Sequence, residues 1–360
     1  MSACRTDLTH YSLLITIMKA AIITEPGNLT VQDIPAPTPG EYEVLCRNLF
    51  GATCTATDLH LIHNTFPFGT NYPTILGHES VGEVIELGPK VRNFKMGDRI
   101  TRAETRPPTD SDLNIHWGGF VEFSIARDHQ AMQEDGMPEK DWAQFTVQQV
   151  VPADIDPAAA TMFITWRETL SYAQRMGIKE ADAVLVMGSG GTAMSFVVHA
   201  RNAGVETICS VGNAGREALL RQAGATAFVD YKSENLNGGL SALRPEGFDF
   251  VVDSIGKEGV ANSLLPHIAP GGVLGIYGID DYQTISINPM SARGTFTVYK
   301  GHYDQAEVHE LVIDLVREGR LDASLWMDLN NAFPISEINA AYDAVASRRM
   351  VKALVKLSED

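Results

Sequence analysis

Cysteine is scarce in this chain, and the wide spacing of the cysteines argues against disulfides and a structural zinc site. The 360-residue sequence contains four, Cys4, Cys46, Cys54 and Cys209, and no two of them form a Cys-x-x-Cys pair. A disulfide framework requires paired cysteines and a structural zinc site requires closely spaced ones, so the sequence predicts neither. Scattered cysteines are typical of a reducing compartment, and we expect a cytoplasmic protein.

Positive charge and long apolar runs are also in short supply. Lysine and arginine together number 28 against 45 aspartates and glutamates, which gives a formal net charge of −17. Nucleic acids and anionic membrane surfaces bind basic surfaces, so neither is an expected partner. No apolar run reaches the ~18 residues that a membrane-spanning helix requires. We expect a small-molecule substrate instead, and a homodimer or homotetramer.

One glycine-rich turn is the most informative motif that is present. The residues Gly188-Ser-Gly-Gly-Thr-Ala193 follow the apolar run Ala183-Val-Leu-Val-Met187 and precede a helical pattern. A strand, a Gly-x-Gly-x-x-Ala turn and a helix form the dinucleotide-binding fingerprint, in which backbone amides at the start of the helix hold the diphosphate. A tight turn without a ligand is the alternative. The expected nucleotide contacts of this turn are Gly188, Gly190, Gly191, Thr192 and Ala193.

The order of strand and helix patterns predicts an α/β protein with two domains. Residues 18–155 read as a β-rich, turn-rich region, whereas residues 156–295 alternate strands with helices, which is typical of a doubly wound parallel sheet. Residues 296–360 contain two helical patterns and a closing strand, and we expect them to return to the first domain. Residues 1–17 are predicted to be a disordered extension before a native start at Met18.

Several further blocks lie in a fixed order along residues 18–360, and together with the glycine-rich turn they carry a family resemblance. The chain resembles the medium-chain, zinc-type alcohol dehydrogenases and reductases. The resemblance implies a catalytic domain with a barrel-like core, built from the first and last segments, and an active site in the cleft beside the nucleotide domain. The blocks are Met18-Lys-Ala-Ala21, Thr57-Asp-Leu-His60, Gly77-His-Glu79, Lys95-Met-Gly-Asp-Arg99 and Gly118-Gly-Phe-Val-Glu122.

The catalytic zinc ligands implied by this resemblance are only partly present. Thr55 stands where the family has a cysteine, and the third ligand position falls on Phe163, with Glu168 nearby but out of register. Cys54 is one residue from the first position, and on an extended chain it would point to the opposite side. A catalytic zinc needs three protein ligands, so we expect no zinc. If zinc does bind, the expected ligands are His78, Glu79 and Asp58.

The acid–base groups implied by the resemblance are retained. Thr57 matches the hydroxyl that bonds the substrate oxygen, and His60 matches the distal proton acceptor, which is reached through the cofactor ribose. A threonine bonded to its own backbone and a surface histidine are the alternatives. His78 could donate a hydrogen bond in place of the metal, with Asp58 or Glu79 fixing its tautomer, or it could be a core histidine. The expected catalytic residues are therefore Thr57, His60 and His78.

The end of the second nucleotide strand favours NADP(H) over NAD(H). An acidic residue at this point would accept the ribose hydroxyls and repel a 2′-phosphate, and none is present after Thr207-Ile-Cys-Ser-Val211. Gly212 leaves room there, and Asn213 and Arg216 can donate to a phosphate, although Arg216 could also be a solvated helix residue. Lys352 lies where the family often places a basic residue near the pyrophosphate.

The sequence therefore predicts an NAD(P)(H)-dependent oxidoreductase that interconverts an alcohol and a ketone or aldehyde, with a polyol or sugar derivative as one substrate class. Two alternatives remain. A zinc-free reductase could deliver hydride to an activated C=C or C=N bond, which needs no Lewis acid. A nucleotide-binding homologue without chemistry is the other, but the retained Thr57 and His60 favour an enzyme.

Overall fold

The computed structural model describes residues 16–179 and 183–359, and the description below concerns these residues. No helix among them is both long and apolar enough to cross a membrane. The strands are β1 Ile17–Glu25, β2 Asn28–Pro35, β3 Glu43–Ala52, β4 Thr74–Ile75, β5 Ser80–Leu87, β6 Arg99–Thr101, β7 Asn114–Ile115, β8 Phe123–Arg127, β9 Val150–Val151, β10 Ala183–Met187, β11 Thr207–Gly212, β12 Ala227–Asp230, β13 Phe248–Asp253, β14 Ile268–Ile276, β15 Thr297–Tyr299, β16 Phe333–Pro334 and β17 Leu354–Lys356. The α-helices are α1 Thr55–Ile62, α2 His129–Glu134, α3 Glu139–Trp142, α4 Pro157–Ala160, α5 Phe163–Met176, α6 Gly191–Asn202, α7 Glu217–Ala223, α8 Leu236–Leu243, α9 Val260–Leu264, α10 His309–Arg317 and α11 Ile338–Ala346.

The nucleotide domain is built on a six-stranded sheet in the order β12-β11-β10-β13-β14-β15. Neighbouring strands run parallel throughout, as the alternation of strands and helices predicted. All five residues of β10 are buried, since helices cover a parallel sheet on both faces and its central strands are apolar on both sides. The expected doubly wound fold is confirmed.

The sheet of the nucleotide domain extends past the predicted domain boundary. We expected this domain to end at residue 295 and the catalytic domain to resume at residue 296, but β15 pairs in parallel with β14. The chain therefore leaves the nucleotide sheet after Tyr299. At the other end, β1 begins at Ile17, one residue before the expected start at Met18, and it pairs with β2. Residues 1–15 of the expected extension lie outside the described residues.

The catalytic domain is β-rich, as expected, and its strands form two sheets. One contains β16-β17-β3-β5-β6-β9 with β8 paired to β3, and the other contains β2-β1-β4-β7. The C-terminal strand β17 runs antiparallel to β3, which brings the last residues of the chain back to the first domain. Phe120 is fully buried in the apolar core that β1, α1 and α11 share, and the same core holds Leu357.

The segment after β3 is helical, which corrects an expectation that bears on the site. We treated residues 54–58 as extended chain, but Thr55–Ile62 forms α1 and Cys54 stands immediately before it. The Asp58 carboxylate accepts a hydrogen bond from the Cys54 amide at 2.7 Å, so it satisfies an N–H that the helix leaves free at its start. The direction of the Cys54 side chain is therefore set by its position at the start of a helix and not by an extended strand.

Candidate functional site

The fingerprint turn, residues 188–193, has the geometry that diphosphate binding requires. Gly188 has a φ of +130°, and a Cβ there would lie 2.2 Å from the Ser254 hydroxyl, so only glycine fits. Gly190 has no atom within 4 Å of the place where a Cβ would stand, so an anion can approach the backbone closely. The twelve-residue helix α6 begins directly after it and directs its free amides toward this space.

A cleft of ≈ 870 Å³ lies between the two domains and begins at this turn. Four cations line it, Arg216, Lys257, Arg348 and Lys352, and among the described lining residues Asp280 is the one carboxylate. The cleft is therefore positively charged, although the whole chain has a net charge of −17, and a positive cleft suits a polyanionic ligand. The predicted nucleotide contacts Gly188, Gly190, Gly191, Thr192, Ala193, Gly212, Asn213, Arg216 and Lys352 all line this cleft.

Arg216 sits at the end of the cleft where the second nucleotide strand stops. Its Nη2 donates to the carbonyl oxygens of Arg348 at 3.0 Å and Met350 at 2.8 Å. Burial and the neighbouring Arg348 lower the pKa of Arg216. Arg348 was missed from the sequence because it lies 132 positions along the chain, in the segment that returns to the catalytic domain, and no motif marks it.

His60 is the predicted proton acceptor, and it bridges the domains. Its Nε2 donates to Asp280 Oδ1 at 3.2 Å, and its Nδ1 lies 2.7 Å from the Thr65 hydroxyl. Asp280 belongs to the nucleotide domain and follows β14, so sequence reasoning did not connect it with a histidine of α1. A carboxylate that accepts from Nε2–H fixes the tautomer and the direction of the ring.

Two threonines of α1 differ in their relation to the cleft. Thr57, the predicted substrate-binding hydroxyl, is half-buried on the helix but off the face that lines the cleft. Thr55 is on that face, and its hydroxyl donates to the Val351 carbonyl at 3.2 Å. We had considered Thr55 only as a lost metal ligand. The described residues of α1 that line the cleft are Thr55, Ala56, Leu59 and His60.

Three side chains form a group that could hold a metal ion. One ligand atom from each of Cys54, His78 and Glu79 lies within 4.8 Å of the others. The expectation that Cys54 points away from the site was wrong, because helix α1 replaces the extended chain on which that expectation rested. Asp58, which we named as a ligand only in the case that zinc binds, is not in this group, and Cys54 takes that place. The thiol, imidazole and carboxylate suit the donor preferences of zinc.

The Asp58 carboxylate lies beside the His78 ring. Asp58 Oδ1 lies 3.4 Å from His78 Nδ1, while Asp58 Oδ2 accepts from the hydroxyl of Tyr342 at 2.8 Å. Burial lowers the pKa of His78, but the proximity of Asp58 and Cys54 outweighs burial and leaves that pKa well above the ordinary value. The other ring nitrogen, Nε2, lies 3.8 Å from Glu79 Oε1, so it faces the carboxylate of the group. Tyr342 was not predicted, because it comes from α11 near the C-terminus.

Glu79 is held in a buried ion pair with Lys352. The Lys352 ammonium lies 2.7 Å and 2.5 Å from the two carboxylate oxygens, and it also donates to the Thr53 carbonyl at 3.1 Å. The Thr165 hydroxyl donates to Glu79 Oε1 at 2.9 Å. Burial would lower the pKa of Lys352, and Glu79 more than offsets that effect and raises it. Lys352 therefore contacts the carboxylate of the possible metal group and also lines the cleft.

The two remaining candidates for a zinc ligand lie elsewhere. Phe163 is fully buried against Trp166 and His309, with ring centroids 6.1 Å and 5.8 Å away. The Glu168 carboxylate accepts from the Tyr277 hydroxyl at 3.1 Å and from Gln305 Nε2 at 2.9 Å, and burial raises its pKa. The residues around positions 100–120 contain no cysteine, as noted from the sequence. The ring of Trp117 packs 5.1 Å from that of His78 and makes this side of the site apolar.

Comparison with known proteins defines the class. Residues 40–138 match the alcohol dehydrogenase GroES-like domain and residues 191–317 match the zinc-binding dehydrogenase domain, which together make up more than half of the chain. The chain belongs to the medium-chain, zinc-type alcohol dehydrogenase family and is a nicotinamide-nucleotide-dependent oxidoreductase of that family.

The relatives within this family have differing substrates. Sorbitol dehydrogenase of Halalkalibacterium halodurans is 24% identical over 351 residues, covering 94% of this chain and 99% of that protein. L-threonine 3-dehydrogenase of Pseudoalteromonas translucida is 26% identical over 354 residues, covering 92% and 96%. A solved protein described as a zinc-binding dehydrogenase, from Sinorhizobium meliloti 1021 and bound to NADP, superimposes with a TM-score of 0.75 at 24% identity, covering 94% and 99%. The structural likeness establishes the shared fold.

Proposed function

We propose that this protein is an NADP(H)-dependent oxidoreductase that interconverts an alcohol and a ketone or aldehyde. The observation that carries the proposal is the cation-lined cleft, which runs from the fingerprint turn to His60 and Cys54. The relatives act on a polyol and on a hydroxy amino acid, which supports a small polar alcohol as the substrate class.

The choice of NADP(H) rests on Arg216 and Arg348. The guanidinium of Arg216 is tied to the backbone of Arg348, so one side chain from each domain stands at the end of the cleft where a 2′-phosphate would lie. Two guanidinium groups are a strong phosphate site because their charge-assisted hydrogen bonds are the strong ones. The NADP-bound relative from Sinorhizobium meliloti supports the same choice.

The proton chemistry is assigned to α1. In alcohol oxidation the substrate carbon loses a hydride and its hydroxyl loses a proton, and the bound nicotinamide nucleotide supplies the hydride acceptor. A threonine hydroxyl of α1 accepts the hydrogen bond of the substrate oxygen, and His60, whose ring is held by Asp280, accepts the released proton. His78 donates a hydrogen bond to the oxygen and stabilises charge that develops there.

The same cluster contains the residues that would hold a metal. Cys54, His78 and Glu79 would be the ligands of a zinc ion, which would act as a Lewis acid toward the substrate oxygen. Because both Glu79 oxygens already contact Lys352, we propose that catalysis does not depend on tightly bound zinc, in line with the expectation from the sequence.

A pair of threonine variants tests the proposed chemistry. We expect Thr57→Val to reduce the turnover of carbonyl substrates with NADPH by ~100-fold or more, with nucleotide binding unchanged, because the family resemblance assigns the contact with the reacting oxygen to this hydroxyl. Thr55→Val is the matched variant, since it removes a hydroxyl two residues earlier in the same helix, on the face that lines the cleft. The measurement is steady-state NADPH oxidation across a panel of ketones, aldehydes and enones.

The panel also separates the alternatives. A large loss with Thr55→Val alone would assign the contact to Thr55 and retain the carbonyl chemistry. Unchanged turnover in both variants would refute the proposed contact and favour reduction of a C=C or C=N bond. Tight NADPH binding with no turnover of any substrate would favour a nucleotide-binding protein without chemistry.

A further inference from the structure

The Glu79 carboxylate could bind two different cations, a metal ion or the Lys352 ammonium. It is the carboxylate of the group that could hold a metal, and its ligand atom lies within 4.8 Å of those of Cys54 and His78. Both of its oxygens are also within 2.7 Å of the Lys352 ammonium, and Oε1 accepts a further hydrogen bond from Thr165. A metal ion bound by Cys54, His78 and Glu79 would therefore need a Glu79 oxygen that already contacts the Lys352 ammonium.

The competition is electrostatic as well as geometric. Lys352 is 3% exposed and Glu79 is 1% exposed, so water screens their attraction poorly. A divalent ion beside Glu79 would stand close to the ammonium, and the repulsion between the two cations would lower the affinity for the metal. With Glu79 occupied, the metal retains Cys54 and His78, one ligand fewer than the three of a catalytic zinc site.

Lys352 has a second neighbour that can compete for its charge. A Cβ placed on Gly191 would lie 3.3 Å from Lys352 Cε, so the stem of this lysine runs against the fingerprint turn. Its backbone amide donates to the Trp326 carbonyl at 3.0 Å, and the Trp326 indole donates to the Gly191 carbonyl at 2.8 Å. The side chain thus lies between Glu79 and the place where the diphosphate binds.

The geometry points to Lys352 as the residue that sets the metal affinity of Cys54, His78 and Glu79 and couples it to nucleotide binding. In the free protein Lys352 holds Glu79 and keeps metal binding weak. A bound dinucleotide diphosphate offers the ammonium a second anion, which loosens its hold on Glu79 and strengthens metal binding. Coupling of this kind is reciprocal, so a bound metal should equally tighten the nucleotide. The inference rests on the metal ligands named in the proposed function.

Cobalt titration of the full-length protein tests the inference without any measurement of turnover. Co²⁺ bound to a cysteine gives a thiolate-to-metal absorption band, and Cys54→Ser should remove that band. We expect Lys352→Met, which keeps the length of the side chain and removes its charge, to bind Co²⁺ at least ~10-fold more tightly than the wild type. Lys95→Met is the matched control, because the Lys95 side chain is 84% exposed, and it should bind as the wild type does.

The nucleotide arm uses the wild type and Lys352→Arg, and it stands even if Lys352→Met does not fold. Saturating NADP⁺ should raise the Co²⁺ affinity of the wild type several-fold, and Lys352→Arg, which retains a cation, should show no tightening in the absence of NADP⁺. Equal affinities in the wild type and a folded Lys352→Met would overturn the inference, as would a wild-type affinity that NADP⁺ leaves unchanged. A cobalt band that survives in Cys54→Ser would also overturn it. Failure to turn over any carbonyl would refute the proposed function. It would not affect the test of the inference, which depends on the Co²⁺ affinities alone.

Discussion

At the scale of single residues, the cleft combines positions that lie far apart in the sequence. Arg216 follows the second nucleotide strand, as the motif predicted, but its contact with the Arg348 carbonyl joins it to a segment near the C-terminus. His60 similarly meets Asp280, which is 220 positions away. A motif read along one stretch of chain identifies one partner of each pair, because the other partner is brought in by the fold.

Arg216 provides the first prediction at this scale. Replacing it with alanine should weaken NADPH binding by ~1.5–3 kcal/mol, which is the usual contribution of a charge-assisted hydrogen bond, and should leave NADH binding little changed. Fluorescence titration with both coenzymes is the measurement. Arg317→Ala serves as control, because Arg317 is an exposed residue paired with Asp154. Equal losses for the two coenzymes, or a wild type that prefers NADH, would contradict the 2′-phosphate assignment.

At the scale of elements, two glycines of the fingerprint turn have different roles, one in stability and one in nucleotide binding. Gly188→Ala should destabilise the protein without ligand by roughly 1–3 kcal/mol, because its φ of +130° and its contact with Ser254 leave no place for a Cβ. Gly190→Ala should leave that stability unchanged, because its φ of −87° is ordinary and the space around it is open.

The nucleotide affinity separates the two roles further. Gly190→Ala should weaken NADPH binding, since the added methyl group would stand in the space that the diphosphate enters. Thermal unfolding of the ligand-free variants and NADPH titration of Gly190→Ala are the measurements. A Gly190→Ala protein that binds NADPH normally would show that the diphosphate does not approach this residue.

The first helix shows why part of the site could not be predicted. Strands β10 to β14 of the nucleotide sheet were evident in the sequence because each contains a short apolar run between turn residues, whereas β15 was not predicted. The residues before Asp58 carry no comparable pattern. Their helix depends on how β3 ends and on the hydrogen bond from the Cys54 amide to Asp58, so the direction of the Cys54 side chain could not be derived from spacing.

At the scale of the whole molecule, a buried hydrogen-bond chain joins the domains. Arg167 of α5 donates to His309 Nδ1 at 3.3 Å, and His309 Nε2 donates to the Val150 carbonyl at 2.9 Å. This chain requires neutral His309. Burial, assisted by the charge of Arg167, lowers the pKa of His309 to about 4.

His309 therefore predicts acid sensitivity. Its folded pKa of about 4 lies below its unfolded value, so its contribution to stability is complete above about pH 6.5 and is lost as the pH falls toward 4. The loss should be roughly 3 kcal/mol over that interval. Urea unfolding at pH 7.5 and at pH 4.5 should show a smaller difference for His309→Gln than for the wild type. The exposed His302→Gln should behave as the wild type, and a His309→Gln protein that is equally acid-sensitive would refute this assignment.

The oligomeric state also belongs to this scale. A homodimer or homotetramer was predicted from the sequence, and β15 with the partly exposed Val298 forms one edge of the nucleotide sheet. An unpaired edge strand can pair with another chain. Light scattering of the purified protein measures the mass directly.

The hydrogen bond between the Trp326 indole and the Gly191 carbonyl gives the protein an optical reporter. Trp326 is one of four tryptophans in the chain, it is 2% exposed, and its partner is the first residue of the helix on which the diphosphate rests. An indole emits at a wavelength that depends on the electric field around its ring, and a dianionic diphosphate a few ångströms away changes that field. Nucleotide occupancy can therefore be followed by the native emission of the protein, with no label attached and no substrate present.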